Sequence, residues 1–188
     1  MHKIAVLGLG KVGTLASELL HAAGFEVRAY DQARIKDDLP FAVESVDVSD
    51  AAAVSGVFAD VDAVLSCLPY HLNAGLAEAA VEANIHYFDL TEDVPTTRRI
   101  LELARTAKRL MAPQCGLAPG FVGIVGADLI GRFDECRSCK MRVGALPQNP
   151  AGLMGYSFNW SPEGGVHEYP HDCQVHEDGA ATTVPPMA

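Results

Sequence analysis

An α/β fold built on a doubly wound parallel sheet, followed by the beginning of an α+β domain, is what this sequence predicts, and three observations predict it. An apolar run, Lys3-Ile4-Ala5-Val6-Leu7, passes directly into Gly8-Leu9-Gly10-Lys11-Val12-Gly13 and then into a helical pattern. Short apolar strands then alternate with helices of one-sided apolar spacing as far as Pro113. Beyond Gly120 the texture changes to a glycine-spaced apolar helix, further strand patterns and a hairpin.

Composition bounds the reading before any motif does. With 188 residues and 49% hydrophobic content, the chain suits one full domain and part of another. A net charge of −10 argues against a nucleic-acid partner, since the average field repels a polyanion and no Lys/Arg cluster offsets it. Met1-His2-Lys3 leads into a strand with no signal-peptide pattern, and no apolar run approaches the ~20 residues of a membrane span. Five scattered cysteines, an odd number, fit a reducing cytoplasm better than a disulfide scaffold.

Each glycine of the opening loop has a physical task. Gly8 allows the tight turn out of the strand, Gly10 lets the backbone approach a pyrophosphate, and Gly13 lets the next helix pack on the strand. Lys11 and Val12 belong to the helix N-terminus, whose free N–H groups attract an anion, so Gly8, Gly10, Lys11, Val12 and Gly13 form the phosphate-binding candidate. Val12 to Ala23 reads as the helix, apolar at Leu15, Ala16, Leu19 and Leu20 and ended by Gly24. A strand from Phe25 to Tyr30 then stops at Asp31, roughly 20 residues past the loop, where an acid accepts the adenosine ribose hydroxyls. That carboxylate repels a 2′-phosphate and so favours NAD over NADP, while Arg34 leaves NADP open.

Ala42 to Val46 reads as a third strand, ending at Asp47-Val48, which meets the adenine in such a fold or is a plain loop. Ser49 or Asp50 caps a short helix to about Phe58. A fourth strand, Asp62 to Ser66, opens into Cys67-Leu68-Pro69-Tyr70-His71. Ligands of open parallel sheets bind beyond the carboxyl ends of the strands beside the switch in strand order, so Cys67, Leu68 and Pro69 join the cofactor-binding candidates. Leu72 to Ala83 is an alanine-rich helix that Asn84 closes, His86 to Asp89 a fifth strand, and Leu110 to Pro113 a sixth. Between the last two, Thr96 or Thr97 starts a helix.

Gln114 to Phe121 reads as a turn into a helix from Phe121 to Ile130, whose glycines suggest close packing on the first domain. Strand patterns follow at Glu135–Gly144 and Gly155–Trp160. A hairpin comes last, with Asp178-Gly179 as the turn between Cys173–His176 and Ala181–Val184. The chain therefore divides into a nucleotide-binding domain, 1–120, and a partial α+β substrate or dimerisation domain, 121–188. Cys136-Arg137-Ser138-Cys139, with His167, His171, Cys173 and His176 downstream, has zinc-like spacing. The two cysteines enter a strand pattern in which side chains diverge, and no metal is expected.

The glycine loop, the turn Cys115-Gly116-Leu117-Ala118-Pro119-Gly120, Gly144-Ala145-Leu146-Pro147, and Trp160-Ser161-Pro162-Glu163-Gly164 ending at Tyr169 resemble saccharopine dehydrogenase-type proteins. That resemblance implies a Rossmann domain and an NAD- or NADP-dependent oxidoreductase that transfers hydride at a C–N centre of an amino acid or secondary amine. Members are considerably longer, and this sequence ends near the start of their second domain. The alternative is a truncated dinucleotide-binding module without turnover. FAD is disfavoured by Asp31 and the family-like turns. The proton-transfer candidates in the strand-end loops are His71, Asp89 and Glu92, and Tyr70, Cys115 and Gly120 are the substrate-pocket candidates. The expected partner is a small-molecule amine or amino acid, and a homodimer is the assembly that can complete the second domain.

Overall fold

The computed structural model describes residues 1–33, 39–144, 147–153, 155 and 172–186. Its contacts divide the chain into two compact units, Met1–Met141 and Arg142–Ala188.

The first unit alternates strand and helix: β1 (Lys3–Leu7), α1 (Lys11–Ala22), β2 (Glu26–Asp31), β3 (Ala42–Ser45), α2 (Ala51–Phe58), β4 (Ala63–Ser66), α3 (Tyr70–Ala83), β5 (His86–Asp89), α4 (Val94–Ala104), β6 (Met111–Ala112) and α5 (Phe121–Ile130). Six parallel strands lie in the order β3-β2-β1-β4-β5-β6. The first strand is therefore central, and the order reverses between β1 and β4. Leu7 is in register with Tyr30 on one side and Ser66 on the other, and Ser66 with Asp89, so the carboxyl ends of these strands share one edge.

Alternation along β1 splits its side chains between two cores. Ala5 and Leu7 join Val54, Phe58, Leu76, Tyr87 and Ile100 under α2, α3 and α4, while Ile4 and Val6 join Val27 and Ala63 on the face that Leu20 of α1 covers. Burying a side chain such as Phe58, 1% exposed, contributes about 1.5–3 kcal/mol.

Local chemistry sets where the helices begin. Asp50 caps α2, its Oδ1 accepting from the N–H groups of Ala52 at 2.8 Å and Ala53 at 3.3 Å. Asn84 closes α3 in the left-handed region at φ 57°. That helix starts at Tyr70, ahead of the expected Leu72, because Pro69 at its N-cap is fixed at φ −55°. Helix α4 likewise starts ahead of Thr96: Asp93 is the cap, accepting from the Thr96 N–H at 2.9 Å and hydroxyl at 2.7 Å, and Pro95 fits the first turn.

Two other expectations are corrected. Leu15 and Leu19 do not face the sheet; they are 55% and 62% exposed, and the buried positions are Gly13 and Ser17, with Ala16 and Leu20 half-buried. The close approach at Gly13 sets the rotation of α1, and a residue two positions on lies about 200° around the helix. Glu135–Gly144 is irregular and exposed rather than a strand, since among the described residues no strand offers it a ladder. In α5, Gly126 is buried beneath Met141 whereas Gly123 faces open space.

In the second unit, β7 (Cys173–Glu177) and β8 (Ala180–Val184) form the antiparallel hairpin. Asp178 at φ 51° and Gly179 at φ 78° make its turn, both central residues being left-handed as a twisted two-residue hairpin requires. Arg34, His167, His171 and all but the first residue of the Gly155–Trp160 pattern lie outside the described residues.

Candidate functional site

The glycine loop lies at the carboxyl edge of β1, where the strand order reverses. Gly8 turns at φ 88° with its N–H donating to the Tyr30 carbonyl at 2.8 Å. Gly10 is the N-cap of α1 and supplies no side-chain cap, so the first N–H groups of the helix, including those of Lys11 and Val12, face outward unclaimed by any capping side chain. Lys11 and Val12 are exposed, and a Cβ on Gly10 would meet nothing within 4 Å. Gly13 is different: a Cβ there would overlap the Gly8 carbonyl oxygen and come within 3.2 Å of Cys67 Cβ. The loop is thus open outward at Gly10 and closed inward at Gly13.

Asp31 reaches back to this loop. Its Oδ2 accepts from the Leu9 N–H at 2.6 Å and its Oδ1 from the Ala33 N–H at 2.8 Å, which places a half-buried carboxylate against the second residue of the motif. Asp47 is exposed, and its carboxyl accepts from the Ser49 hydroxyl at 2.7 Å and N–H at 2.9 Å, which hold it below the usual carboxylate range. Val48 packs against the larger core.

Across the switch point, Cys67 donates its N–H to the Leu7 carbonyl at 2.8 Å, and burial pushes its thiol up to about 11. Leu68 lies over Gly8, so near that a Cβ there would meet Leu68 Cδ2 at 2.9 Å. Pro69 is exposed, and α3, like α1, begins without a side-chain cap. The Tyr70 and His71 rings meet edge to face with centroids 5.9 Å apart, His71 being exposed on the first turn of the helix.

The remaining candidates separate by depth. Glu92 is half-buried between β5 and α4; Cys115 is exposed with Sγ 3.3 Å from the Ala112 carbonyl; Gly120, at φ 134°, is the N-cap of α5. Asp89 is fully buried. Its Oδ1 accepts from the N–H groups of Thr91 at 3.0 Å and Gln114 at 3.1 Å, and the Tyr87 hydroxyl lies 2.9 Å from Oδ2. Burial raises the pKa of both Asp89 and Tyr87. The same buried layer holds Asn73, whose Oδ1 accepts from the Ser66 hydroxyl at 2.7 Å and whose carbonyl lies 3.2 Å from Tyr87 Oη. Sequence reasoning missed Ser66, Asn73, Tyr87, Thr91 and Gln114. The available signal was Asn73, an amide inside an alanine-rich helix, where a polar side chain is retained only with a partner.

Among the described residues no group of three or more His, Cys, Asp or Glu side chains could hold a metal ion, and no helix is long and apolar enough to cross a membrane.

Residues 4–116 match the family model of the saccharopine dehydrogenase NADP binding domain. The NADP+, L-glutamate-forming saccharopine dehydrogenase of Pyricularia oryzae is 25% identical over 146 residues, covering 74% of this chain and 32% of that protein. That of Saccharomyces cerevisiae is likewise 25% identical, covering 74% and 33%. Alpha-aminoadipic semialdehyde synthase of Arabidopsis thaliana is 26% identical over 145 residues, covering 73% and 14%. The chain thus spans a third or less of the length of these curated relatives. Among solved structures, apo saccharopine dehydrogenase (L-Glu forming) from Saccharomyces cerevisiae superposes with a TM-score of 0.59 at 21% identity, covering 98% of this chain and 44% of that one, which shows a shared fold. With a Rossmann sheet, a glycine loop at its switch point and a family match over most of that sheet, this chain belongs to the saccharopine dehydrogenase NADP binding domain family.

Proposed function

We propose that this chain binds a nicotinamide dinucleotide across the carboxyl edge of β1 and β4 and serves hydride transfer at a C–N centre of an amino acid or secondary amine. The observation that carries the reading is the glycine loop, open at Gly10 above an uncapped helix N-terminus and closed at Gly13 against Gly8. A pyrophosphate fits such a terminus without a basic side chain. Asp31 supports NAD over NADP: its carboxylate abuts the loop at the adenosine end, where a 2′-phosphate would meet like charge.

When bound, the cofactor donates or accepts the hydride. The protein's share is geometric. Leu68 and Cys67 wall the loop and Tyr70 with His71 stands at the start of α3, while Cys115 and Gly120 belong to the turn that follows β6. Holding an amine carbon near the nicotinamide in that crevice supplies much of the rate. His71 and Glu92 are the proposed proton-transfer groups, His71 being exposed on the first turn of α3 and Glu92 half-buried in the β5–α4 loop. Residues 121–188 are assigned to the substrate side and to contact with a second copy, and the odd cysteine count supports a reducing, cytoplasmic setting.

Calorimetric titration of the chain with NADH and with NADPH tests this. Micromolar binding of NADH, tighter than NADPH, is expected, followed by NAD reduction with lysine or saccharopine-like amines. A folded chain that binds neither nucleotide overturns the reading.

A further inference from the structure

We propose that Asp89 is a positioning residue: it fixes the Gln114–Gly120 turn beside the nicotinamide half of the crevice by accepting backbone hydrogen bonds, and it takes no part in proton transfer. This rests on the dinucleotide reading above for the identity of the ligand, though the placement of the turn stands on the structure alone.

Two consecutive amides of the turn end on this one residue. The Gln114 N–H donates to Asp89 Oδ1 at 3.1 Å, and the Cys115 N–H donates to the Asp89 backbone carbonyl at 2.7 Å. Gln114 stands at φ 63°, a conformation that a residue with a side chain adopts only at a cost, and these bonds hold it there. From the other side Oδ1 takes the Thr91 N–H, so one carboxyl oxygen ties the β5–α4 loop to the turn after β6. The turn also folds back on that loop, since a Cβ on Gly116 would lie 3.7 Å from the Leu90 carbonyl oxygen.

A proton-transfer group must come within hydrogen-bond reach of the substrate. Asp89 is 0% exposed, and both its carboxyl oxygens have partners inside the protein. What it can do from there is hold a loop. Its place is the carboxyl end of β5, the middle strand of β4, β5 and β6. A sheet of this order takes one mononucleotide on each half, and Asp31 on β2 marks the adenosine half, so the nicotinamide half falls to β4–β6. The turn that Asp89 secures contains Cys115 and leads through Gly120 into α5.

The Tyr87 hydroxyl gives a way to separate the two roles. Its single hydrogen has two oxygens in reach, Asp89 Oδ2 at 2.9 Å and the Asn73 carbonyl at 3.2 Å. In Asp89→Asn the Oδ1 still accepts from Thr91 and Gln114, Nδ2 donates to Tyr87 Oη, and the Tyr87 hydroxyl turns to Asn73. The Thr91 and Gln114 bonds are kept, the Tyr87 bond reverses its direction with one Nδ2 hydrogen left over, and the titratable proton is gone. Burial raises the pKa of this carboxyl, and the amide removes its ionisation. Asp89→Ala removes the acceptor altogether.

The test compares wild type, Asp89→Asn and Asp89→Ala by residue-resolved amide exchange and by calorimetric binding of NADH and of ADP, which lacks the nicotinamide half. Asp89→Asn is expected to stay within about threefold of wild type in both. Asp89→Ala is expected to exchange the Gln114 and Cys115 amides on the order of tenfold faster and to lose NADH affinity on the order of tenfold, with ADP affinity unchanged. Wild-type exchange in folded Asp89→Ala, or Asp89→Asn as impaired as Asp89→Ala, overturns the proposal. Should Asp89→Ala not fold, Asp89→Asn decides by itself once NAD reduction with a lysine or saccharopine-like amine is added as a readout: a positioning acceptor keeps exchange, binding and turnover with an amide in its place, whereas lost turnover with binding intact marks a proton carrier and overturns the proposal. A wild-type chain that binds neither NADH nor ADP overturns the dinucleotide reading, while exchange at Gln114 and Cys115 still decides whether Asp89 holds the turn.

Discussion

Adding one methyl group at Gly10 or at Gly13 should produce opposite phenotypes, although both belong to the same motif. At Gly13 the new Cβ overlaps the Gly8 carbonyl, a backbone group held by the Gly8 N–H bond to Tyr30 at 2.8 Å, and it also crowds Cys67 Cβ at 3.2 Å. Neither neighbour is the end of a flexible side chain, so α1 must shift off the sheet. Overpacking of this kind costs about 1–3 kcal/mol, and with backbone on one side and a Cβ on the other the upper part of that range applies. For a chain of this size the melting temperature should fall by roughly 5–10 °C. At Gly10 the backbone has φ −65°, which alanine adopts freely, and the Cβ meets nothing within 4 Å. Gly10→Ala should therefore melt within about 2 °C of wild type or slightly above it. In the proposed binding mode its methyl group nevertheless occupies the path of a pyrophosphate toward the first N–H groups of α1. Losing a charge-assisted hydrogen bond of about 1.5–3 kcal/mol weakens NADH binding by roughly 10- to 150-fold. Thermal unfolding and calorimetric titration of the two variants measure both quantities. A Gly13→Ala variant as stable as wild type, or a Gly10→Ala variant with undiminished affinity, would refute the assignment of an inward and an outward glycine.

Three further outcomes follow from the same geometry. Asp31→Ser removes the charge proposed to face a 2′-phosphate together with the acceptor for Leu9 N–H, so affinity for NADH should fall while the NADPH-to-NADH ratio rises roughly tenfold; an unchanged ratio would show that Asp31 only shapes the loop. Because burial lifts the Cys67 thiol to about 11, only about one molecule in a thousand is thiolate at pH 8. Alkylation mapped by mass spectrometry should reach exposed Cys136, Cys139 and Cys173 first, with the rate at Cys67 climbing about tenfold per pH unit between pH 8 and 10; equal rates at pH 8 contradict the burial. Asp50→Ala leaves the N–H groups of Ala52 and Ala53 without their cap and should cost about 1 kcal/mol in urea unfolding, with NADH affinity of the folded protein unaltered.

Much of the candidate site's local geometry was legible along the chain because its signals are local. The spacing of Gly8, Gly10 and Gly13, the strand before them and the acid at the end of the next strand all lie within about 30 residues, and the structure joins them through the Leu9–Asp31 bond at 2.6 Å. The left-handed Asn84 and the Asp178-Gly179 turn were legible for the same reason, since one or two residues carry their own conformational preference. The depth of Asp89 was not legible. An acid at a strand end has the same sequence signature whether it faces the crevice or the interior, and although Tyr87 and Thr91 lie two residues to either side, the distant partner Gln114 comes within reach only when β5 and β6 pair. The strand expected over Glu135–Gly144 failed on the same point, because a strand needs a neighbouring ladder that alternation in one segment does not supply.

What the sequence determined by itself is the alternation of elements and the turn of the glycine loop, because turn chemistry, capping and apolar period act over a few residues each, while the family was legible only as a resemblance of motifs. What only the tertiary structure decided is orientation. The rotation of α1 follows from the contact between Gly13 and the Gly8 carbonyl, which turns Leu15 and Leu19 outward against their apolar spacing. The inward facing of Asp89 adds to its neighbours Tyr87 and Thr91 a donor from a distant segment, the Gln114 N–H. Packing at fixed distance chooses which face of an element is buried, and that choice depends on residues that meet only after the sheet has formed.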